Sequence, residues 1–447
     1  MKMNKKILLL GTFTFLFFTY NQTHAQQKMS LQACIDYALE NSYEVKQRIL
    51  DKESQYTQLQ ATKMSIAPYL GASIGQNFDF GRSALADARV VSTTQSTTNF
   101  NVGLNMDLFH GLRTYHQIKA DQLNLEAALF DIESVKENIE LMVIANYLQT
   151  LLNIEILEVY RTQVVLDREQ VKRIEILVNN GKSSDAELYA AKSALATDQL
   201  SVTEANNALR LSLLDLAQLI NYPDVAHFDI VTDGNNLSET DEILNKNIDV
   251  NTVINNALSS RPAIHAALKR IEWAKRNIKV AQSNWYPSLT FAANFGTGYF
   301  YRFKEIAGMP NQNFGYQFKN NAKEAVGITL TVPIFDKLST HYNVKQQKIR
   351  VKLQELQLEE TKRKLIKEIE QAYANAVASK EKYLASHVAN TSSAITFQYE
   401  EVKYNAGSST HYEYNDARNK YLQALSKLIQ SKFDFLFRIK ILEFYGK

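Results

Sequence analysis

Hydrophobic residues follow two periods along this chain, and each period keeps to its own segments. Four short segments alternate with period two. The first sets Ile74, Phe78 and Phe80 against Ser73, Gly75, Asn77 and Asp79. The second sets Phe100, Val102, Leu104, Met106 and Leu108 against Asn99, Asn101, Gly103, Asn105 and Asp107. The third sets Leu289, Phe291, Ala293 and Phe295 against Thr290, Ala292, Asn294 and Gly296; the fourth sets Val326, Ile328, Leu330, Val332 and Ile334 against Gly327, Thr329, Thr331 and Pro333. Alternation places the two sets on opposite faces, so four strands are predicted. Elsewhere apolar residues recur at seven-residue steps: Leu125, Ile132, Ile139; Leu157, Val164, Val171, Val178; Tyr421, Leu428, Phe435, Leu442. That is coiled-coil spacing. Neither Gly nor Pro, the main helix breakers, occurs in 112–180 or 334–406. Each stretch therefore supports one unbroken helix of about 67 residues, about 100 Å long.

The pattern is written twice. Pro68 and Pro287 stand 219 positions apart at the entry to a strand pair, and after that pair the offset becomes 226. It holds for Phe109/Phe335, Leu112/Leu338, Tyr147/Tyr373, Asn179/Asn405, Gly181/Gly407 and Ala191/Ala417. The change of offset falls in the loop between paired strands, where insertions are best tolerated. The expected organisation is a first repeat over residues 26–220, a polar linker over 221–249 and a second repeat over 250–447.

A half-buried soluble sheet and a membrane barrel both explain the alternation. Strands of about ten residues match a tilted outer-membrane crossing. Tyr69, Phe80, Phe109, Trp285, Tyr286, Tyr299, Phe300, Tyr301 and Phe335 crowd the strand ends, as an interfacial aromatic belt requires. The polar faces are small and uncharged apart from Asp79 and Asp107. These features favour the barrel. Four strands cannot close one, because the smallest transmembrane barrels have about eight, and open edges in lipid leave backbone groups unpaired. The chain must pair with copies of itself, and periodicity does not choose between eight strands from two copies and twelve from three.

Composition narrows the class further. Lys2, Lys5 and Lys6, the apolar run Ile7 to Tyr20 and the small residues at Thr23-His24-Ala25 read as a secretory signal over residues 1–25. Its removal takes three lysines and no acid, leaving 47 basic against 47 acidic residues. That balance gives no support for nucleic-acid binding. Cys34 is the single cysteine; it opens a helical pattern well past the apolar run and reads as a small buried thiol rather than a lipid anchor. No HExxH, CxxC or phosphate loop occurs, and no nucleophile–base pair stands out, so neither catalytic residues, a metal site nor a cofactor is expected.

Two sharp polar turns remain. Asn179-Asn180-Gly181-Lys182-Ser183-Ser184-Asp185 ends one long helix and starts the next, and Tyr404-Asn405-Ala406-Gly407-Ser408-Ser409-Thr410 does so again. Gly stops a helix in the left-handed cap position, and Ser, Thr or Asp caps the following one. Both turns lie at the same distance from the strands and so at one far end. His411, beside the second turn, reads as a solvated surface histidine.

With the duplicated helix–strand–strand–helix order, the strand-entry prolines and the Tyr-Asn-Ala-Gly tip, the mature chain resembles the TolC-type outer-membrane efflux proteins over Leu31 to Tyr445. The resemblance implies a mainly α fold with transmembrane β: a homotrimer whose twelve strands close one barrel, continued by a long α-helical coiled-coil tunnel into the periplasm. It implies an outer-membrane exit duct of a tripartite efflux or type I secretion system, held in outer-membrane lipid, fed by an inner-membrane pump of RND or ABC type and opened by a periplasmic adaptor. Family members narrow the tunnel at the tip with acidic residues on the inner helix and a tyrosine, which match Glu413, Asp416 and Tyr404, with Glu187 as the first-repeat counterpart. Rings of such acids favour cations and raise one another's pKa; the plainer reading is a set of solvated acids at a helix start. Ser409 stands where the family can carry a basic clamp. Asn180, Gly181, Lys182, Ser183, Gly407, Ser408 and Ser409 are the implied adaptor contacts. The competing class is a structural coiled-coil surface protein or adhesin without conductance.

Overall fold

The computed structural model describes residues 28–84, 90–92, 94–232, 244, 249–304 and 310–446. The expected signal peptide and residues 233–243 and 245–248 of the expected linker lie outside them. Helices α1 (Leu31–Asn41) and α2 (Tyr43–Met64) lead into strand β1 (Tyr69–Asp79), a small hairpin of β2 (Arg82–Ala84) and β3 (Val90–Ser92), and strand β4 (Gln95–His110). The hairpin α3 (Arg113–Asn179) and α4 (Asp185–Leu219) follows. After the linker come α5 (Val250–Ser260), α6 (Pro262–Gln282), strand β5 (Ser288–Arg302), short helix α7 (Phe314–Asn320) and strand β6 (Lys323–Thr331). The chain ends in the hairpin α8 (Ser339–Asn405) and α9 (His411–Gly446). Helices α3 and α8 each hold 67 residues without a break, as the absence of Gly and Pro predicts.

The four main strands form one antiparallel sheet in the order β1-β4-β5-β6. Its register aligns Leu70, Leu104, Ala293 and Val326 on one face, and Ser73, Asn101 and Gly296 on the other. The fourth strand stops at Thr331 rather than Ile334. Pro333 has no N–H to donate, so the ladder ends before it. All of β6, and β1 except Gly71, is exposed. Two long strands thus stand at free edges with both faces open.

Beyond the reach of β6, the end of β5 is paired by side chains. Asn321 Nδ2 donates to Gly298 O (2.7 Å). Gln317 accepts from Phe300 N (3.0 Å) and donates to its carbonyl (2.9 Å). Asn311 does the same for Arg302 at 2.9 and 2.8 Å. Three amides therefore replace a missing strand at alternate residues, satisfying backbone groups that an edge would leave open.

Strand passes into helix through left-handed pairs: Gly111 and Leu112 (φ +54° and +59°), then Lys337 and Leu338 (φ +58° and +64°). At Gly111 a Cβ would lie 2.4 Å from Ser283 O, so only glycine fits. Lys337 holds the same backbone turn with a side chain.

The heptad rows are buried where the helices meet. One core gathers Cys34, Val143, Leu216, Phe228 and Ile230 midway along α3. Cys34 is fully buried, as expected, and burial pushes its thiol up to about 12. There Met29 bridges Ile230 in parallel, and Tyr147 Oη donates to Val231 O (2.9 Å), so the described part of the linker is tied to the segment just before α1 and to α3. A second core joins Val253, Ile264, Leu365 and Ile369, and a third joins Ala376, Phe435 and Leu442. A small cluster of Ile174, Leu188 and Ala191 closes the first hairpin near its turn.

Candidate functional site

The two hairpin turns close by the same hydrogen-bond scheme. Gly181 N donates to Val178 O (2.9 Å) and Lys182 N to Leu177 O (2.8 Å); Gly407 N donates to Tyr404 O (3.1 Å) and Ser408 N to Lys403 O (2.9 Å). This is the Schellman arrangement, with glycine in the left-handed position at φ +68° and +74°. Asn180, Lys182 and Ser408 are exposed, and Ser183 and Ser409 half-buried. The implied adaptor contacts thus share two short turns of identical backbone.

The implied aperture residues separate into two groups. Glu187 and Tyr404 meet across the hairpins: Tyr404 Oη donates to Glu187 Oε1 (3.2 Å) and accepts from Gln170 Nε2 (3.2 Å). His411 Nδ1 lies 3.4 Å from the same oxygen, and Asn415 Nδ2 donates to His411 Nε2 (2.7 Å). A neutral imidazole with its proton on Nδ1 satisfies all four bonds. Burial, then the Glu187 charge, pushes the Tyr404 phenol up to about 12. His411 is not a solvated surface residue: it is half-buried, and burial lowers its pKa below the ordinary value. Nearby, Arg173 Nη1 donates to Asn405 Oδ1.

Glu413 and Asp416 make only local bonds. Glu413 accepts from Thr410 N (2.9 Å), while its own N–H donates to Thr410 Oγ (3.3 Å). This is a capping box. Those bonds hold the fully exposed Glu413 carboxyl below its usual range within one chain. Asp416 pairs with Lys420 at 2.7 Å, one helical turn on. Ser409 Oγ donates to Glu400 and lies 3.2 Å from Glu413 Oε2.

Sequence reasoning missed the strongest link between the hairpins. Arg418, on α9, donates Nη1 to Asp167 on α3 and Nη2 to Asp198 on α4 (3.1 Å). The side chains of Arg418 and Asp167 are 6% and 3% exposed. Gln163 Nε2 donates to Asp167 Oδ1 (3.0 Å). Two carboxylates face one guanidinium here, and burial, then the hydrogen bond with Asp198, pushes Asp167 up to about 7 against the pull of Arg418. A basic side chain thus ties the two hairpins of this chain together, from position 418 on α9.

The comparisons agree with this architecture. The sequence pattern of the outer membrane efflux protein family matches residues 34–222 and 253–435, and the chain belongs to that family. It is accordingly an outer-membrane efflux channel protein with a helical periplasmic part, and not an enzyme. Three similar solved structures are the CmeC outer membrane channel of Campylobacter jejuni, the outer membrane protein VceC of Vibrio cholerae and the open state of the MtrE outer membrane channel of Neisseria gonorrhoeae. CmeC is 18% identical, with a TM-score of 0.73, over 93% of this chain and 85% of its own. VceC is 16% identical (0.72; 93% and 96%), and MtrE 18% identical (0.70; 93% and 88%). At these identities the likeness is one of fold. No curated protein matched the sequence.

Proposed function

We infer that the chain, with its two repeats fused in tandem, is one protomer, and that three protomers form a passive exit duct. Their twelve strands close one barrel, and their helices continue it as a periplasmic tunnel. An inner-membrane pump, of RND or ABC type, delivers substrate, and a periplasmic adaptor engages the turns at Gly181 and Gly407 to open the mouth. The observation that carries this reading is the pair of free edges, β1 and β6. In lipid each unpaired backbone group costs several kcal/mol, so these edges must find partners. In a ring of identical copies, β6 of one protomer meets β1 of the next, which closes the sheet without new contacts of another kind.

At the mouth, Glu187, Tyr404, Glu413 and Asp416 set the aperture, and the Arg418 cluster keeps the two hairpins of each protomer together. The test is the mass of the purified protein in detergent with planar-bilayer conductance alongside. A trimer giving small cation-selective steps is expected. A monomer that never conducts would transfer the weight to a coiled-coil surface protein.

A further inference from the structure

A basic groove lies just below the sheet, between the start of α3 and the end of α6. It encloses about 460 Å³ and is lined by Lys119, Lys275, Arg276 and Lys279, with Glu126 and Glu272 at its lower end. The two acids are already engaged: Lys269 lies 2.8 Å from Glu126 and 3.8 Å from Glu272. Among the described residues, none of the four groove cations takes part in an ion pair. Four positive charges thus line the groove against two acids, both of them already engaged by Lys269. Their field reaches His116, whose pKa is lowered by burial and then by Arg276 and Lys279.

The groove's depth and direction indicate its ligand. Lys279 sits three residues before the end of α6, about 5 Å along the axis, and Lys119 six residues into α3, about 9 Å. The headgroup layer on each side of a bilayer is about 5–7 Å thick, and long basic side chains reach toward it. Leu112, Tyr115 and Lys119 follow i, i+3, i+7 spacing and share one helix face. Leu112 and Tyr115 are 57% and 52% exposed. On the other wall of the groove, exposed Trp285 and Tyr286 follow Lys279. Exposed apolar and aromatic residues at a strand end belong at the membrane interface. The same face carries the basic groove, which therefore points outward, under the inner leaflet.

We propose that Lys119, Lys275, Arg276 and Lys279 bind the phosphate headgroup of an anionic phospholipid of the periplasmic leaflet, anchoring each protomer at a fixed depth. The proposal rests on the outer-membrane placement of the sheet, which insertion into nanodiscs reads separately. The full protein in phosphatidylethanolamine nanodiscs with and without phosphatidylglycerol, then released for native mass spectrometry, should retain phosphatidylglycerol selectively. Each basic residue near an anionic surface is worth about fivefold in affinity. The variant K275Q/R276Q/K279Q should therefore lose about a hundredfold, while K345Q, outside the groove, should retain lipid as the parent does. R276K alone, the milder change, should lose less than tenfold and guards against misfolding of the triple variant. Equal lipid retention by the triple variant and the parent overturns the proposal. Displacement of the lipid by millimolar inorganic phosphate would make the groove a general phosphate site and overturn it too. Altered conductance with unaltered lipid retention would place the groove inside the tunnel and refute the outward reading. Failure of the parent protein to insert would remove the membrane placement and the proposal together.

Discussion

Replacing Arg418 by methionine tests the link between the tips most directly. The change keeps side-chain length and removes the only cation that faces Asp167 and Asp198 among the described residues. Asp167 cannot turn to water, since its side chain is 3% exposed. Breaking a buried pair by deleting one partner costs about 3–5 kcal/mol, because the remaining charge stays buried. Protonation of Asp167 offsets part of this, so the lower end of that range is the better expectation. At about 1.4 kcal/mol per factor of ten, a loss of about 3 kcal/mol raises the population of separated hairpins about a hundredfold. The readouts are deuterium uptake in 163–170, 195–201 and 400–420 and single-channel conductance, both expected to rise. The combination R418M/D167N/D198N should restore both toward the parent, because it removes the stranded charges along with the cation. Parental uptake and conductance in R418M alone would refute the assignment of Arg418 as the clasp.

Four further outcomes follow from the same geometry. Asp167, with its carboxyl raised from 3.8 to about 7, binds more protons folded than unfolded between those values. Its contribution to the tips is therefore full below about pH 4 and lost as pH rises through about 7; tip deuterium uptake should climb across that window, and a flat profile would contradict the linkage. Tyr404→Phe removes one donor and two accepted bonds from a half-buried site, a loss of about 1–2 kcal/mol, so its conductance should rise less than that of R418M. Gly111→Ala combines left-handed strain of about 1–2 kcal/mol with a collision against Ser283 O; the yield of assembled protein should fall sharply, whereas Lys337→Gly, at the matching turn, should raise the melting temperature. Ile328→Arg puts a charge on the apolar face of β6, where Ile328 is 65% exposed. It should cost about 2–4 kcal/mol per protomer near the bilayer midplane, read as a lower denaturant midpoint in vesicles, and no shift would argue against lipid contact there.

What the sequence revealed and what it hid divide by how local the physics is. The long helices were legible because a single Gly or Pro would have broken them and none is present. The tip turns were legible because a glycine and then Ser-Ser or Ser-Thr encode a cap and a restart within seven residues. The strands were legible from alternation, except where β6 ends early at Pro333. Nothing local announced Arg418: its partners lie 251 and 220 positions away, on two other helices, and each of the three reads alone as a polar coiled-coil surface position. The amides of Asn311, Gln317 and Asn321 were hidden for the same reason. They resemble any polar loop until β5 is seen to outrun its neighbour.

The two tips also show how one pattern came to serve two purposes. Glu187 and Glu413 stand 226 positions apart, each three residues after a Ser or Thr that caps its helix. Glu413 turns back and completes its capping box. Glu187 does not: its carboxylate takes Ser183 Oγ (2.5 Å) and Tyr404 Oη (3.2 Å) instead. The matching position to Tyr404 in the first half is Val178, which offers no hydroxyl, so the link can form in one direction only. Half a capping box is worth about 0.5–1 kcal/mol, a loss that one hydrogen bond to a charged group, worth about 1.5–3 kcal/mol, more than offsets. The exchange therefore costs a single protomer no stability, and its consequence is mechanical. A bond within one helix cannot resist separation of the hairpins, whereas Tyr404–Glu187 and Arg418–Asp167 must both break before the tips can part. Divergence between equivalent positions, rather than the shared pattern itself, is what ties the two hairpins of one chain together at this end.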